Sequence, residues 1–237
     1  MGHKAAGTIA AVGAAVNIVA VGDRVAIEPG HPCRRCSPCK SGTYNLCPAV
    51  KFAAAPPDVH STLTWFWKAL EDFVYRLADE TVSLEEAVLL EPLAVAVHAV
   101  RIAALQPGHT VVIKGCGTIG LLCAAVAPVF GVQRILLLDI AEARVWGRGR
   151  HASGNTGIGQ PKPRIPMLAL SEKELRVFGC FRYGPGDFTL AMTLLSQKSA
   201  QLKPLISSIT PFEQAPTAWE KTARGEGVKN LIEGVLD

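Results

Sequence analysis

The chain has 237 residues, 49% of them hydrophobic, which is ample for a packed core in one or two domains. Its net charge of +4 comes from 24 basic and 20 acidic residues scattered along the chain, a mild excess that does not imply a nucleic-acid surface. Seven cysteines and no apolar signal core in "MGHKAAG" imply a reducing, cytoplasmic setting, where clustered thiols more often hold metal than form disulfides.

In chain order, "GDRVAIEPG" reads as strand and loop and leads into "HPCRRCSPCKSGTYNLC". This stretch places Cys33, Cys36, Cys39 and Cys47 at the spacing C-x2-C-x2-C-x7-C. Two-residue gaps let neighbouring cysteines turn onto one ion, and Ser37, Pro38 and Ser41-Gly42 supply the turns. Four thiolates satisfy tetrahedral zinc and leave no open position, so such a site is structural. Buried free cysteines and a nucleic-acid zinc module are the alternatives. The second would place basic and aromatic residues on a helix or ribbon, whereas the flanks here read as strand and loop.

"APPDVHSTLTWFWKALEDFVYRLADE" follows, its aromatic residues suited to a core or to a substrate wall, the core being favoured. The apolar run from Ala87 to Leu105 is interrupted by Glu91, Pro92, His98 and Arg101 and is not a membrane span.

"HTVVIKG" is β-rich and follows a Pro-Gly turn. Gly115, Gly117 and Gly120 then form G-x-G-x-x-G, an apolar helix is predicted from Thr118 to Phe130, and "RILLLDI" is a second buried strand. Asp139 lies nineteen residues past the third glycine. This is the pattern of a dinucleotide site: the glycines allow close approach of a pyrophosphate to the helix amino end, and the acid accepts from ribose hydroxyls. A carboxylate there repels a 2′-phosphate, which favours NAD over NADP. A buried strand–turn–helix without ligand is the bland alternative, and it leaves Asp139 unexplained. Pro128 fits the helix badly, because it removes an amide donor and crowds the preceding turn.

The phrases "VGDRVAIEPGHPCRRCSPCKSGTYNLCP", "EEAVLLEPLAVAVHAVR", "GCGTIGLL", "MLALSEKELRVFGCFRYGPGDF" and "LKPLISSITPFEQAPTAWEKTARGEGVKNLIEG" together resemble the zinc-containing medium-chain dehydrogenases. The polyol branch, the sorbitol and xylitol dehydrogenases, is the closer match. The resemblance implies an α/β chain: a GroES-like, β-rich catalytic domain at 1–93, a shortened Rossmann domain at 94–198, and a segment at 199–237 returning to the first domain. It implies Zn²⁺ and NAD as cofactors, a polyol as small-molecule substrate, and no nucleic-acid or membrane partner. In that family a second, catalytic zinc acts as a Lewis acid on the alcohol oxygen. Carried over by position, His3 matches the histidine of a Gly-His-Glu zinc motif, and Glu91 an acid at or near that metal. Arg182 and Tyr183 match substrate-side residues, while Ile119, Asp139 and Arg144 join the glycines as cofactor contacts. "ELRVFGCF" would be the last sheet strand, "TAWEKTARG" a helix and "VKNLIEG" a strand.

Three departures from the family are expected to bear on activity. The cysteine of an upstream Cys-Gly-Ser-Asp segment, a catalytic zinc ligand in the family, has no counterpart; Cys116, Cys123 and Cys180 read as buried apolar residues. Lys4 stands where the family has glutamate, and with a frayed terminus the second zinc would be poorly held. Around "VWGRGRHASGNTG" the nucleotide domain lacks strands that belong between its first and last, which predicts unpaired sheet edges and an uncovered apolar face. The family implies a homo-oligomer, and the shortened domain counts against one. The alternatives are an inactive zinc-binding remnant or structural partner of a full-length dehydrogenase, and a zinc-free quinone-reductase-like relative, which the four cysteines and Glu91 disfavour.

Overall fold

The computed structural model describes residues 2–55, 60–77, 81–139 and 167–234. It divides into two compact units, Met1–Ala94 with Tyr183–Asp237, and Val95–Arg182.

In the first unit, β1 (Ala6–Thr8), β2 (Arg24–Ile27) and a later strand form an antiparallel sheet, with β2 in the middle. Val25 and Ala26 of β2 are buried, and Ala6 pairs Ala26 across the first ladder. A two-residue pair, β3 (Gly30–His31) and β4 (Lys51–Phe52), brackets the cysteine stretch; between them lies the short helix α1 (Ser37–Lys40). β5 (Val74–Arg76) completes the first sheet, Ile27 opposite Val74.

α2 (Leu84–Ala87) starts from a capping box: Ser83 Oγ accepts the Glu86 amide and Glu86 accepts the Ser83 amide. α3 (Leu90–Ile102) follows at once, with Pro92 in its first turn, where no intrahelical N–H is needed. Leu89, Leu90, Leu93 and Ala94 are almost wholly buried.

The second unit carries β6 (Thr110–Lys114), α4 (Thr118–Val126) and β7 (Arg134–Leu138). The strands pair in parallel from Thr110 opposite Arg134 to Lys114 opposite Leu138, a βαβ unit as the sequence pattern predicts. α4 stops at Val126, four residues before the predicted end. Ala127–Phe130 tightens into a 3₁₀ turn with Pro128 near its start, and Gly131 closes it at φ 80°. The proline is accommodated by ending the α-helix before it.

Residues 174–181, expected as the last sheet strand, form no strand; a short helix, α5 (Met167–Glu172), precedes them instead. Leu175, Val177, Phe178 and Phe181 are exposed, and no extended strand among the described residues pairs with them. An apolar β-rich segment becomes a strand only beside a partner edge.

Back in the first unit, α6 (Asp187–Leu202) buries Phe188, Ala191, Leu195 and Leu202 along one stripe. Position 199 lies inside this helix, which falls within the first unit. β8 (Ile206–Thr210), α7 (Ala215–Ala223) and β9 (Lys229–Ile232) form a second parallel βαβ unit, matching the predicted helix and strand. Among the described residues no helix is long and apolar enough to cross a membrane.

Candidate metal, nucleotide and catalytic sites

The four cysteine sulfurs all lie within 4.8 Å of one another. Cys33 and Cys39 sulfurs are 4.0 Å apart, and those of Cys36 and Cys39 3.3 Å. Tetrahedral zinc with bonds of ~2.3 Å sets its sulfurs about 3.8 Å apart, so the residues present fit that ion. Local chain features build the knuckle. Arg34 takes a left-handed φ of 63° between the first two ligands. Pro38 starts α1, and Ser41 and Thr43 hydroxyls donate to the Pro38 carbonyl. Backbone amides of Arg35 and Cys36 point at Cys33 and draw its thiol down to about 6, the direction that favours a thiolate ligand.

The lobe is fastened to its own unit at two points. Arg34 donates to both carboxylate oxygens of Asp72 at 2.8 and 2.6 Å, and its guanidinium lies 5.7 Å from the Phe73 ring centre. Tyr44, three residues before Cys47, donates to Glu28 at 2.6 Å, and Tyr75 donates to the other Glu28 oxygen at 2.8 Å. Glu28 is 2% exposed; burial pushes its carboxyl up to about 7, against the two tyrosine hydroxyls. Sequence reasoning missed this cluster, because nothing in "AIEPG" marks its glutamate as buried.

The glycine-rich loop has the shape a dinucleotide site needs. Gly115 has φ 104°, and a Cβ on Gly120 would lie 1.8 Å from the Gly115 carbonyl oxygen, so the third glycine lets α4 meet β6. A Cβ on Gly117 would meet nothing within 4 Å, which leaves an open approach to the amino end of α4. Asp139 follows β7, and its Oδ2 accepts the Cys116 amide at 2.7 Å, tying the acid to the loop. Ile119 is half-buried in the first turn of α4. These residues fit a dinucleotide. Arg144 lies outside the described residues. Cys116 and Cys123 are buried as expected, and burial pushes the Cys123 thiol up to about 12; Cys180 is half-buried.

His3 and Glu91, far apart in sequence, come together with Nε2 and Oε1 3.5 Å apart. The amino end is pinned, not frayed: the Gly2 carbonyl accepts from the Thr62 amide at 2.8 Å and from the hydroxyls of Ser61 and Thr62. The Phe52 ring, 5.2 Å away, supports the imidazole. Lys4 Nζ donates to His3 Nε2 at 2.7 Å and lies 3.5 Å from Glu91 Oε2. Glu91 is 5% exposed; burial alone would raise its pKa, but His3 and the Lys4 charge, with Lys229, hold it below the ordinary carboxylate value. Burial and the Lys4 charge together pull Lys229 down to about 8. These residues fit a second zinc badly, because the side chain 2.7 Å from His3 Nε2 and 3.5 Å from Glu91 Oε2 is an ammonium, which has no lone pair to give a metal.

Arg182 ends the second unit at φ 57°, its guanidinium 4.6 Å from the Phe181 ring centre. Tyr183 begins the return to the first unit, 2% exposed, its ring edge-on to Phe188 at 4.6 Å.

Residues 1–79 match the family described as alcohol dehydrogenase GroES-like domain. Over 100% of its length the chain is 38% identical to the probable D-xylulose reductase A of Aspergillus clavatus and covers 81% of that protein. That match runs over 291 positions, more than the 237 of this chain, so the relative carries internal residues that have no counterpart here. An Escherichia coli oxidoreductase/dehydrogenase of unknown specificity is 25% identical with a TM-score of 0.90, over 99% of this chain and 82% of that one. The L-idonate 5-dehydrogenase of Escherichia coli has a TM-score of 0.85 at 22% identity, over 98% of this chain and 81% of that one. Fold and site thus define an alcohol-dehydrogenase-type oxidoreductase of α/β architecture, with GroES-like and nucleotide-binding parts. The chain belongs to the zinc-containing medium-chain dehydrogenase family, in its polyol branch.

Proposed function

We propose that the chain is an NAD-linked oxidoreductase of a xylitol- or sorbitol-type polyol, interconverting a secondary alcohol and a ketose in the cytoplasm. The whole-chain identity of 38% to a D-xylulose reductase carries this reading. The nicotinamide, when bound, supplies the hydride acceptor or donor. The backbone of Gly115, Gly117 and Gly120, with Ile119, holds the pyrophosphate at the amino end of α4. Asp139 faces the adenosine ribose and, being an anion, turns away a 2′-phosphate, so NAD is the cofactor; Arg144 is a further cofactor contact by resemblance. Cys33, Cys36, Cys39 and Cys47 would hold zinc with all four positions filled, and their task is to keep the lobe folded. By resemblance to the family's motifs, His3, Glu91, Arg182 and Tyr183 would serve the substrate side.

The test is purified protein assayed with xylitol or sorbitol and NAD⁺, and with D-xylulose and NADH. Turnover supports the reading. A second reading, a zinc-binding remnant without catalysis, is favoured by the Lys4 ammonium 2.7 Å from His3 Nε2 and 3.5 Å from Glu91 Oε2. NADH binding without turnover of either substrate pair would support that one.

A further inference from the structure

The His3–Glu91 pair departs from the family in a way that has its own chemical content. We propose that the Lys4 ammonium is the resident cation of this site, taking the place of a divalent metal, so that the chain binds one zinc, in its cysteine lobe, and none at His3. This rests on the family reading of His3 and Glu91 as members of a metal site.

Three observations carry it. An ammonium has three donors and no lone pair, so the 2.7 Å contact between Lys4 Nζ and His3 Nε2 uses the histidine lone pair a metal would need. Zinc bonded to both partners would sit ~2 Å from each of two atoms that are 3.5 Å apart. Lys4 Nζ, 2.7 Å from His3 Nε2 and 3.5 Å from Glu91 Oε2, brings a positive charge up to both partners, and that charge repels a Zn²⁺ approaching the same pair. The charge is also met. Glu91 is the one buried carboxylate of the cluster, and the Lys4 ammonium 3.5 Å from its Oε2 already sets a positive charge beside it. The lysine is tethered by the pinned amino end, where Gly2 is held by Ser61 and Thr62. A substrate oxygen arriving here meets N–H donors instead of an open metal position.

Metal content tests this apart from any activity. The full chain and its Lys4→Glu variant are equilibrated with excess Zn²⁺, dialysed and analysed for zinc per chain; cobalt-substituted samples report ligand type by their visible absorption. The wild type is expected to hold one ion with the spectrum of a four-sulfur site. Lys4→Glu is expected to gain a second ion with a nitrogen–oxygen spectrum, lost again in Lys4→Glu combined with His3→Ala. The sulfur-site ion in every sample verifies that each variant is folded. Two ions in the wild type, falling to one in His3→Ala, would overturn the proposal. A single ion in Lys4→Glu would overturn it as well, because the lysine would then not be what excludes the metal. Failure to turn over polyols leaves these counts unchanged, so the two ideas fail separately.

Discussion

At the scale of single residues, the least ordinary group outside the metal sites is Glu28. It is 2% exposed, yet two tyrosine hydroxyls donate to it, one of them from the zinc lobe. Its carboxyl titrates near 7 in the fold against an ordinary 4.5, chiefly because burial disfavours the charged form. Between those values the folded chain holds a proton that the unfolded chain has released. Stability from this group is therefore complete below the ordinary value and declines as pH rises through the folded one, by about 3 kcal/mol in all. Urea midpoints of the wild type and Glu28→Gln at about pH 6 and about pH 8 check this. The wild type is expected to lose stability over that window relative to the variant, whose amide cannot ionise. Parallel behaviour of the two proteins would remove the assignment. None of this was legible in the sequence, where a glutamate next to Pro29 reads as loop.

At the scale of elements, legibility followed how local the determining physics is. β6, α4 and β7 stand where alternation, the glycine pattern and turn residues put them, apart from the early end of α4, since each is specified by its own segment, while α7 and β9 are implied by the family resemblance. The four cysteines converge because short spacings restrict where their sulfurs can go. Residues 174–181 have strand composition but, among the described residues, join no sheet strand beyond a single bridge at Gly179, a fact no local pattern contains. Likewise the sequence paired His3 with Glu91 through resemblance, but only the fold brought the Lys4 ammonium up against both of them. Two substitutions test elements that are local in this sense. Ser83→Ala removes the hydroxyl of the α2 capping box and should cost ~1 kcal/mol, read as a lower urea midpoint with unchanged slope. Gly120→Ala drives a methyl to 1.8 Å from the Gly115 carbonyl oxygen, so loop and helix must separate. Overpacking of this kind costs roughly 1–3 kcal/mol. NADH titration by fluorescence is expected to show affinity reduced about tenfold or more, while zinc in the cysteine lobe is retained. Unchanged NADH affinity would mean that the loop is not the pyrophosphate site.

For the whole molecule, the division into two units sets how damage should spread. The cysteine lobe belongs to the first unit and is joined to it by Arg34 on Asp72 and Tyr44 on Glu28. Zinc binding free energy is folding free energy for such a lobe, since the four thiols have no preformed arrangement in the unfolded chain. Chelation should therefore melt residues 33–47 first. The two anchors then lose their partners, leaving Glu28 buried with one of its two hydroxyl donors gone. The ladder between β2 and β5 lies next to both anchors, because Glu28 directly follows β2 and Asp72 lies two residues before the first residue of β5. The strands β6 and β7 pair only with each other among the described residues and belong to the second unit, whereas the lobe belongs to the first. Hydrogen exchange before and after treatment with a strong chelator is the measurement. Amides of 33–47 should lose protection fastest, those of β2 and β5 next, and those of β6 and β7 least. Simultaneous loss in β6 and β7 would mean that the two units unfold as one, and the nucleotide unit would then depend on zinc that it does not itself bind.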